Sequence, residues 1–304
     1  MIKSVTVTNF LGESIKLELG CPEKSGLLIK SITGLGPSNA NINAKELATS
    51  DGAVYNSARV NSRNIVMTLG FMFKPTIEDV RLLTYRYFPI KKKLKLLIET
   101  DKRICEAYGY VESNEPNIFS KEEETQISII CPDPYFYSAG PDGNTVTVFY
   151  GVEAAFEFPF SNESVDEKLL EIGIAKYATE RVIYYSGDAE IGITIRIYAT
   201  GEVKNLTIYN ARTREYMKID TDILTAMTGS TIVKGDEITI STVKGNKYID
   251  LYRAGKHYNI LNCMKKDSVW FQLAHGDNIF AYVADDGASN LQFRIENKTV
   301  YEGV

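Results

Sequence analysis

The sequence predicts a mainly β protein of two domains, a β-rich first domain with one helix over residues 1–138 and a β-sandwich over residues 139–304. Three observations carry this. The chain holds 19 Tyr and 13 Phe among many Ile, Val and Thr, side chains that suit a pleated, half-buried surface. Short period-two stretches recur between Gly, Asn and Asp turns at roughly 8–12-residue spacing, the pattern of sandwiches and barrels. Near the middle, Cys131-Pro-Asp-Pro-Tyr-Phe-Tyr137 breaks the alternation with two prolines that cannot donate to a ladder, so the chain leaves its sheet there.

In chain order, Ile2–Phe10 alternates, Gly12 turns, and Ile15, Leu17 and Leu19 return, giving an opening hairpin. Leu27–Thr33 is a further strand. Residues 34–64 have weak periodicity and are rich in Gly and Asn; about thirty residues without a clear element point to a functional or partner-ordered arm, or to a solvent-exposed one with irregular strands. From Asn64 to Lys74, Ile65, Met67, Leu69, Phe71 and Phe73 share one face of a strand. Thr76 with Asp79 three residues on resembles a capping box, Val80, Leu83 and Tyr87 recur at helical spacing, and Pro89 stops the element, which predicts a helix over about 76–88.

Lys91, Lys92, Lys93 and Lys95 alternate into Leu94, Leu96 and Ile98, and read as a solvated strand edge that discourages aggregation rather than as a binding patch. A strand over 102–111, interrupted by Gly109, precedes the acidic Glu122-Glu-Glu124 and the strand Thr125–Ile130 that ends at the Pro-Asp-Pro corner. The domain boundary falls in the loop 138–144. Beyond it, strands are expected over 145–150, 154–160, 191–198, 203–209, 216–219, 237–242, 247–252, 269–273, 278–283 and 291–295, while 164–176 reads as either helix or strand.

Composition narrows function. A net charge of −5 argues against a general nucleic-acid binder. Cysteines at 21, 105, 131 and 263 have neither zinc nor haem spacing and read as reduced structural thiols. No signal-peptide core and no apolar run of about 18 residues is present, so the expectation is a protein made and folded in the cytoplasm, with no membrane span. His257 and His275 lack a third orienting group and read as surface or turn residues. Asp285-Asp-Gly reads as a hairpin turn, and Asp220/Asp222 is the other acidic pair weighed for calcium or glycosidase chemistry. Trp270 reads as a core aromatic, with a sugar-stacking platform as the alternative. No catalytic, cofactor-binding or metal residue emerges; the sequence points away from an enzyme and from a bound cofactor.

Several stretches, in order along nearly the whole chain, resemble the distal tail protein (Dit) family of long-tailed phages, the siphovirus-type tail component. They are Asp51-Gly-Ala-Val-Tyr55, Arg63-Asn-Ile-Val-Met-Thr-Leu69, Tyr87-Phe-Pro-Ile-Lys-Lys92, the 131–137 corner, Ile208-Tyr-Asn-Ala-Arg-Thr-Arg-Glu215, Gly235-Asp-Glu-Ile-Thr-Ile-Ser-Thr242 and His275-Gly-Asp-Asn-Ile279. The resemblance implies an N-terminal β-sandwich with a helix that forms a homo-hexameric ring, and a C-terminal galectin-like β-sandwich that projects outwards. It implies partners too: the tail tube protein, a tail tip or baseplate hub protein, a receptor-binding protein, and DNA that passes through the ring without specific binding. The location implied is the virion tail of a phage or of a tail-like bacteriocin. Pro37–Asn61, with Pro37, Asn41, Asp51, Tyr55 and Asn61, is the expected subunit-contact arm. The galectin sugar signature, His-x-Asn and a Trp soon followed by Glu, is not matched by His275-Gly-Asp-Asn or Trp270-Phe-Gln, so sugar binding does not follow from the resemblance. The alternative from another class is a carbohydrate-binding module or adhesin acting through the C-terminal sandwich and Trp270.

Overall fold

The computed structural model of the chain describes residues 1–46, 51–73, 75–140, 143–154, 173–177 and 179–304. The strand expected over 154–160 and the ambiguous stretch 164–176 lie mostly outside these residues. The chain divides into two compact units, Met1–Gly143 with Val300–Val304, and Asn144–Thr299. The sequence had carried its second domain to Val304; in the structure the last five residues belong to the first unit.

The first unit is built on β1 (Ile2–Thr8), β2 (Ser14–Glu18), β3 (Leu27–Thr33), β4 (Ala40–Glu46), β5 (Ala53–Val60), β6 (Arg63–Phe71), β7 (Lys93–Thr100), β8 (Ile104–Asn117), β9 (Glu124–Cys131) and β10 (Phe136–Ser138), with helix α1 (Ile77–Tyr87). Its main sheet has the order β2-β1-β7-β8-β9-β6-β3, and β10 joins it beside β8 and the tail strand Val300–Tyr301. Alternation decides what is buried. Ile65, Met67 and Leu69 of β6, Leu94, Leu96 and Ile98 of β7, and Ile127 and Ile129 of β9 all point into one core. Helix α1 is capped as expected: the Thr76 hydroxyl accepts from the Asp79 backbone N–H and donates to its carboxylate at 2.6 Å. Val80 and Thr84 are its buried side.

Strand β9 is an interior strand of this sheet, bonded to β6 on one side and β8 on the other, and it stops at Cys131 where the prolines begin. Gly109, expected to interrupt β8, instead lets it run through: a Cβ there would lie 2.6 Å from Ile129 Cγ2 and 2.9 Å from Cys131 Sγ. The close packing requires glycine, and burial pushes the Cys131 thiol up to about 11, which keeps it protonated and structural.

The second unit has one sheet of order β11 (Asn144–Val148), β24 (Leu291–Lys298), β16 (Thr194–Ala199), β19 (Glu237–Ser241), β20 (Tyr248–Arg253) and β21 (Lys256–Asn259). A second sheet has the order β14 (Glu180–Tyr185), β23 (Gly276–Val283), β17 (Thr207–Asn210) and β18 (Glu215–Lys218). The pairs β12 (Tyr150–Ala154) with β13 (Gly173–Tyr177), and β15 (Ile191–Gly192) with β22 (Gln272–Leu273), complete it. Tyr282 of β23 stacks on Phe293 of β24 at 4.0 Å between ring centres, so the two sheets close face to face over an aromatic core.

Three readings of this half change. A second helix, α2 (Thr221–Thr228), appears, with the Asp220 carboxylate capping the Asp222 and Ile223 N–H groups and Gly229 closing it at φ +85°. The Asp220/Asp222 pair is thus a helix start. Asp285-Asp-Gly joins β23 to β24, which lie in different sheets, so it is a crossover and not a hairpin turn. Gly287 takes φ +75° there, and a Cβ would sit 2.0 Å from Glu202 O. Trp270 is only half-buried, with Lys247 Nζ 5.5 Å from its ring centre; the core aromatic is its neighbour Phe271.

One buried ion pair holds the second unit together locally. Arg253 grips Asp236 through Nε and Nη2 and reaches Thr228 Oγ1 and Ser230 Oγ through Nη1, tying the loop after α2 to β19 and β20. Removing the carboxylate strands a buried cation, so Asp236→Ala is expected to destabilise this unit by about 3 kcal/mol. Urea denaturation followed by far-UV circular dichroism checks it, with Asp250→Ala, an exposed-pair control, changing little.

Candidate assembly site

Strands β4 and β5 make the arm that the sequence left without a clear element. They pair only with each other, as an antiparallel ribbon apart from the main sheet, and every residue of both is exposed. The register runs Ala40↔Val60, Asn41↔Arg59, Ile42↔Ala58 and Asn43↔Ser57, shifts by one residue at Asn56, and resumes at Ala44↔Tyr55 and Lys45↔Val54. Opposed residues share a face. One face therefore carries Ala40, Ile42, Ala44, Ala53, Tyr55, Ala58 and Val60, with Glu46 at its outer end, while the other carries Asn41, Asn43, Lys45, Val54, Ser57 and Arg59. Ile42 and Tyr55 are each 64% exposed. A free two-stranded ribbon is marginal in water, and this one offers a largely apolar face that, among the described residues, is open to solvent.

The five expected contact residues are distributed along this ribbon. Asn41 and Tyr55 lie on opposite faces of its shaft, and Asp51 precedes Gly52 (φ +87°) at its outer end. Pro37 and Asn61 stand at its root, where a cleft of about 350 Å³ opens between residues 34–39 and 61–64 and the Asn61 N–H donates to Asn39 O at 3.0 Å. The structure brings Pro37 and Asn61 together and spaces the other three outwards.

The root is held by a residue whose role the sequence did not disclose. Arg63, the first residue of β6, is buried, with its guanidinium 4.2 Å above the Phe136 ring. Its Nε donates to Pro134 O at 2.7 Å, Nη1 to Gly34 O at 2.6 Å and to Gly36 O, and Nη2 to Glu302 O at 2.6 Å. The arm root, the Pro-Asp-Pro corner and the C-terminal tail thus meet on one cation. Desolvation lowers its pKa, but a guanidinium stays charged at neutral pH. Gly34 is required beside it: φ is +80°, and a Cβ would be 2.0 Å from Asn64 O. The tail is secured further by Val304 N–H to Leu35 O at 3.1 Å and by the Arg103 guanidinium 4.0 Å over Tyr301.

The histidines stand apart from this site and from each other's chemistry. His257 Nδ1 lies 2.6 Å from Asp250 Oδ2 on an exposed edge, and His275 Nδ1 lies 3.0 Å from Gly187 O. Among the described residues, no group of three or more His, Cys, Asp or Glu is placed to hold a metal ion, and no helix is long and apolar enough to cross a membrane.

With this geometry in hand, the fold has counterparts among solved structures. The Dit protein (gp 19.1) of phage SPP1, described as a paradigm of the hub adsorption apparatus in phages infecting Gram-positive bacteria, is similar with a TM-score of 0.62 at 10% identity, over 97% of this chain and 99% of that one. A chain of the phage P2 baseplate in its activated conformation with Ca aligns with a TM-score of 0.43 at 12% identity, over 98% of this chain and 99% of that one. No protein-family model matches the chain, and no curated protein matches it. The likeness to the SPP1 protein establishes a shared Dit-type fold across both units.

Replacing Arg63 with Met keeps most of the bulk and removes the cation, taking its hydrogen bonds away from four part-buried carbonyls. Arg63→Met is expected to cost the first unit at least about 3 kcal/mol and to expose residues 34–62 to trypsin at Lys45 and Arg59 under native conditions. Limited proteolysis followed by mass spectrometry reads the second effect directly.

Proposed function

We propose that this protein is a structural component of a phage tail or tail-like particle, a distal tail protein whose first domain closes into a ring. The observation that carries the proposal is the fold likeness to the SPP1 Dit protein, which covers 97% of this chain and 99% of that one. The arm supports it independently. A ribbon with one apolar face and a rigidly anchored root is built to lie against another molecule, and in a closed assembly each copy supplies an arm and receives one.

In this reading the ring is a homo-hexamer. It sits between the tail tube protein and a tail tip or baseplate hub protein, and DNA crosses its open centre without being bound specifically. The second domain is the galectin-like sandwich, projects outwards, and is available to a receptor-binding protein. Synthesis in the bacterial cytoplasm precedes incorporation into the virion tail. The lone Trp270 gives the carbohydrate-binding alternative little support, since Lys247 lies over its ring and would compete with a sugar face.

Analytical ultracentrifugation of the full chain and of a variant in which Gly-Ser replaces residues 38–60 tests the role of the arm. The full chain is expected to sediment as a discrete oligomer and the arm-less chain as a monomer of unchanged melting temperature. An arm-less chain that keeps the oligomer would contradict the role given to residues 37–61.

A further inference from the structure

The first unit carries two more exposed apolar patches, at opposite ends of helix α1, and their charges are opposite. An eleven-residue helix separates them by about 16 Å along its axis. At the C-terminal end of the helix lie Phe10 and Leu11 of the β1–β2 turn and Ile90 just past the helix, and all three are exposed. The turn is fixed to the helix: Asn9 Nδ2 donates to Arg86 O at 3.2 Å, and Arg86 Nε donates to Glu13 at 2.9 Å. Those two charges cancel. That leaves Lys91, Lys92 and Lys93, all exposed, with Lys92 Nζ 5.3 Å from the Phe10 ring centre and Lys93 Nζ 5.0 Å from that of Tyr108.

At the N-terminal end, Phe73 is 80% exposed and Phe119 is 96% exposed, with Ile118 beside Phe119. The two loops that carry them leave the same end of the sheet, where Phe71 N–H donates to Glu123 O at 3.0 Å. Acidic groups surround them. Among the described residues, six carboxylates at 78, 79, 115 and 122–124 outnumber three cations, Lys30, Arg81 and Lys121, and Lys74, next to Phe73 in the sequence, does not reverse the balance. Lys30 bridges Glu122 and Glu124, and Arg81 reaches Glu78, yet an acidic excess remains.

We infer that these patches are the two halves of one contact between copies of this chain: the Lys91–Lys93/Phe10 end of one copy docks on the Phe119/Phe73 end of the next. This rests on the ring reading above and names a surface for it other than the arm. Two phenylalanines almost wholly in water need cover, and a lysine cluster already seated on aromatic rings supplies both apolar surface and the opposite charge. Because the two patches differ, the contact is head-to-tail, the type of interface that generates rings when its rotation closes. Opposite charge speeds the encounter and rejects the same-patch pairing, in which lysines would face lysines.

A charge-swap experiment on the full chain tests it. One variant carries Lys92→Glu with Lys93→Glu, and another carries Glu115→Lys with Glu122→Lys; each presents like charge at both ends. Each alone is expected to need at least about tenfold higher concentration than the wild type to associate. An equimolar mixture is expected to regain assembly near the wild-type concentration, since each variant complements the other. Variants that associate like the wild type would overturn this contact while leaving the ring reading intact. A mixture that does not recover would overturn it too. A wild-type chain that stays monomeric at every concentration would defeat the ring reading itself, and this contact with it.

Discussion

A single buried cation organises the first unit. Arg63 satisfies carbonyls from the arm root, the corner after β9 and the tail, three segments far apart in sequence. None of these carbonyls belongs to a regular ladder, and all of them are partly shielded from water, so each gains from a protein donor. A guanidinium offers several N–H groups in one rigid plane, so one side chain meets a need that would otherwise take several. Phe136, buried against the face of that plane, explains why the chain re-enters the sheet as β10 right after the prolines: the ring and the cation hold each other in place.

The arm follows from this anchoring. A hairpin that buries nothing of its own stays directed only if its root is rigid, and the Gly34 turn, the Asn61–Asn39 hydrogen bond and Arg63 make it so. Rigidity at the root lowers the ordering cost when the apolar face meets a partner. The rest of the first unit presents itself similarly. Its core is closed and conventional, while its aromatic tips and lysine cluster sit on turns at the two ends of α1. Such a division, with a stable sheet and unsatisfied extremities, is what a component of a larger assembly requires.

Much of this was legible in the sequence, for identifiable reasons. Strands β6 and β9 announced themselves because one face of each is buried, which forces large apolar residues into strict period, while β3 and helix α1 showed through the few apolar residues that each packs on the core. The Pro-Asp-Pro corner was legible because proline leaves no choice. The arm was not, since Ala40-Asn-Ile-Asn-Ala44 alternates with small residues and buries none of them; the period was present but its amplitude was low. Gly109 looked like an interruption because its reason, Ile129 and Cys131 across the sheet, is a tertiary contact. Helix α2 was hidden by its eight-residue length among strands, and Asp220 passed for a possible ligand when it was a cap. Arg63 stood at the head of a stretch that resembles the Dit family, but its role gave no signal. A lone arginine at the head of a strand has no periodic or compositional mark, and its partners are carbonyls that every residue possesses.

The central claim is that the chain is a ring-forming piece of a tail, and the most direct measurement is electron microscopy of the purified full-length protein, with class averages of the main particle. The account predicts closed rings with an open centre and six peripheral lobes, one for each outward-facing second domain. Particles that are single two-lobed molecules, or that associate without rotational symmetry or a central opening, would contradict it.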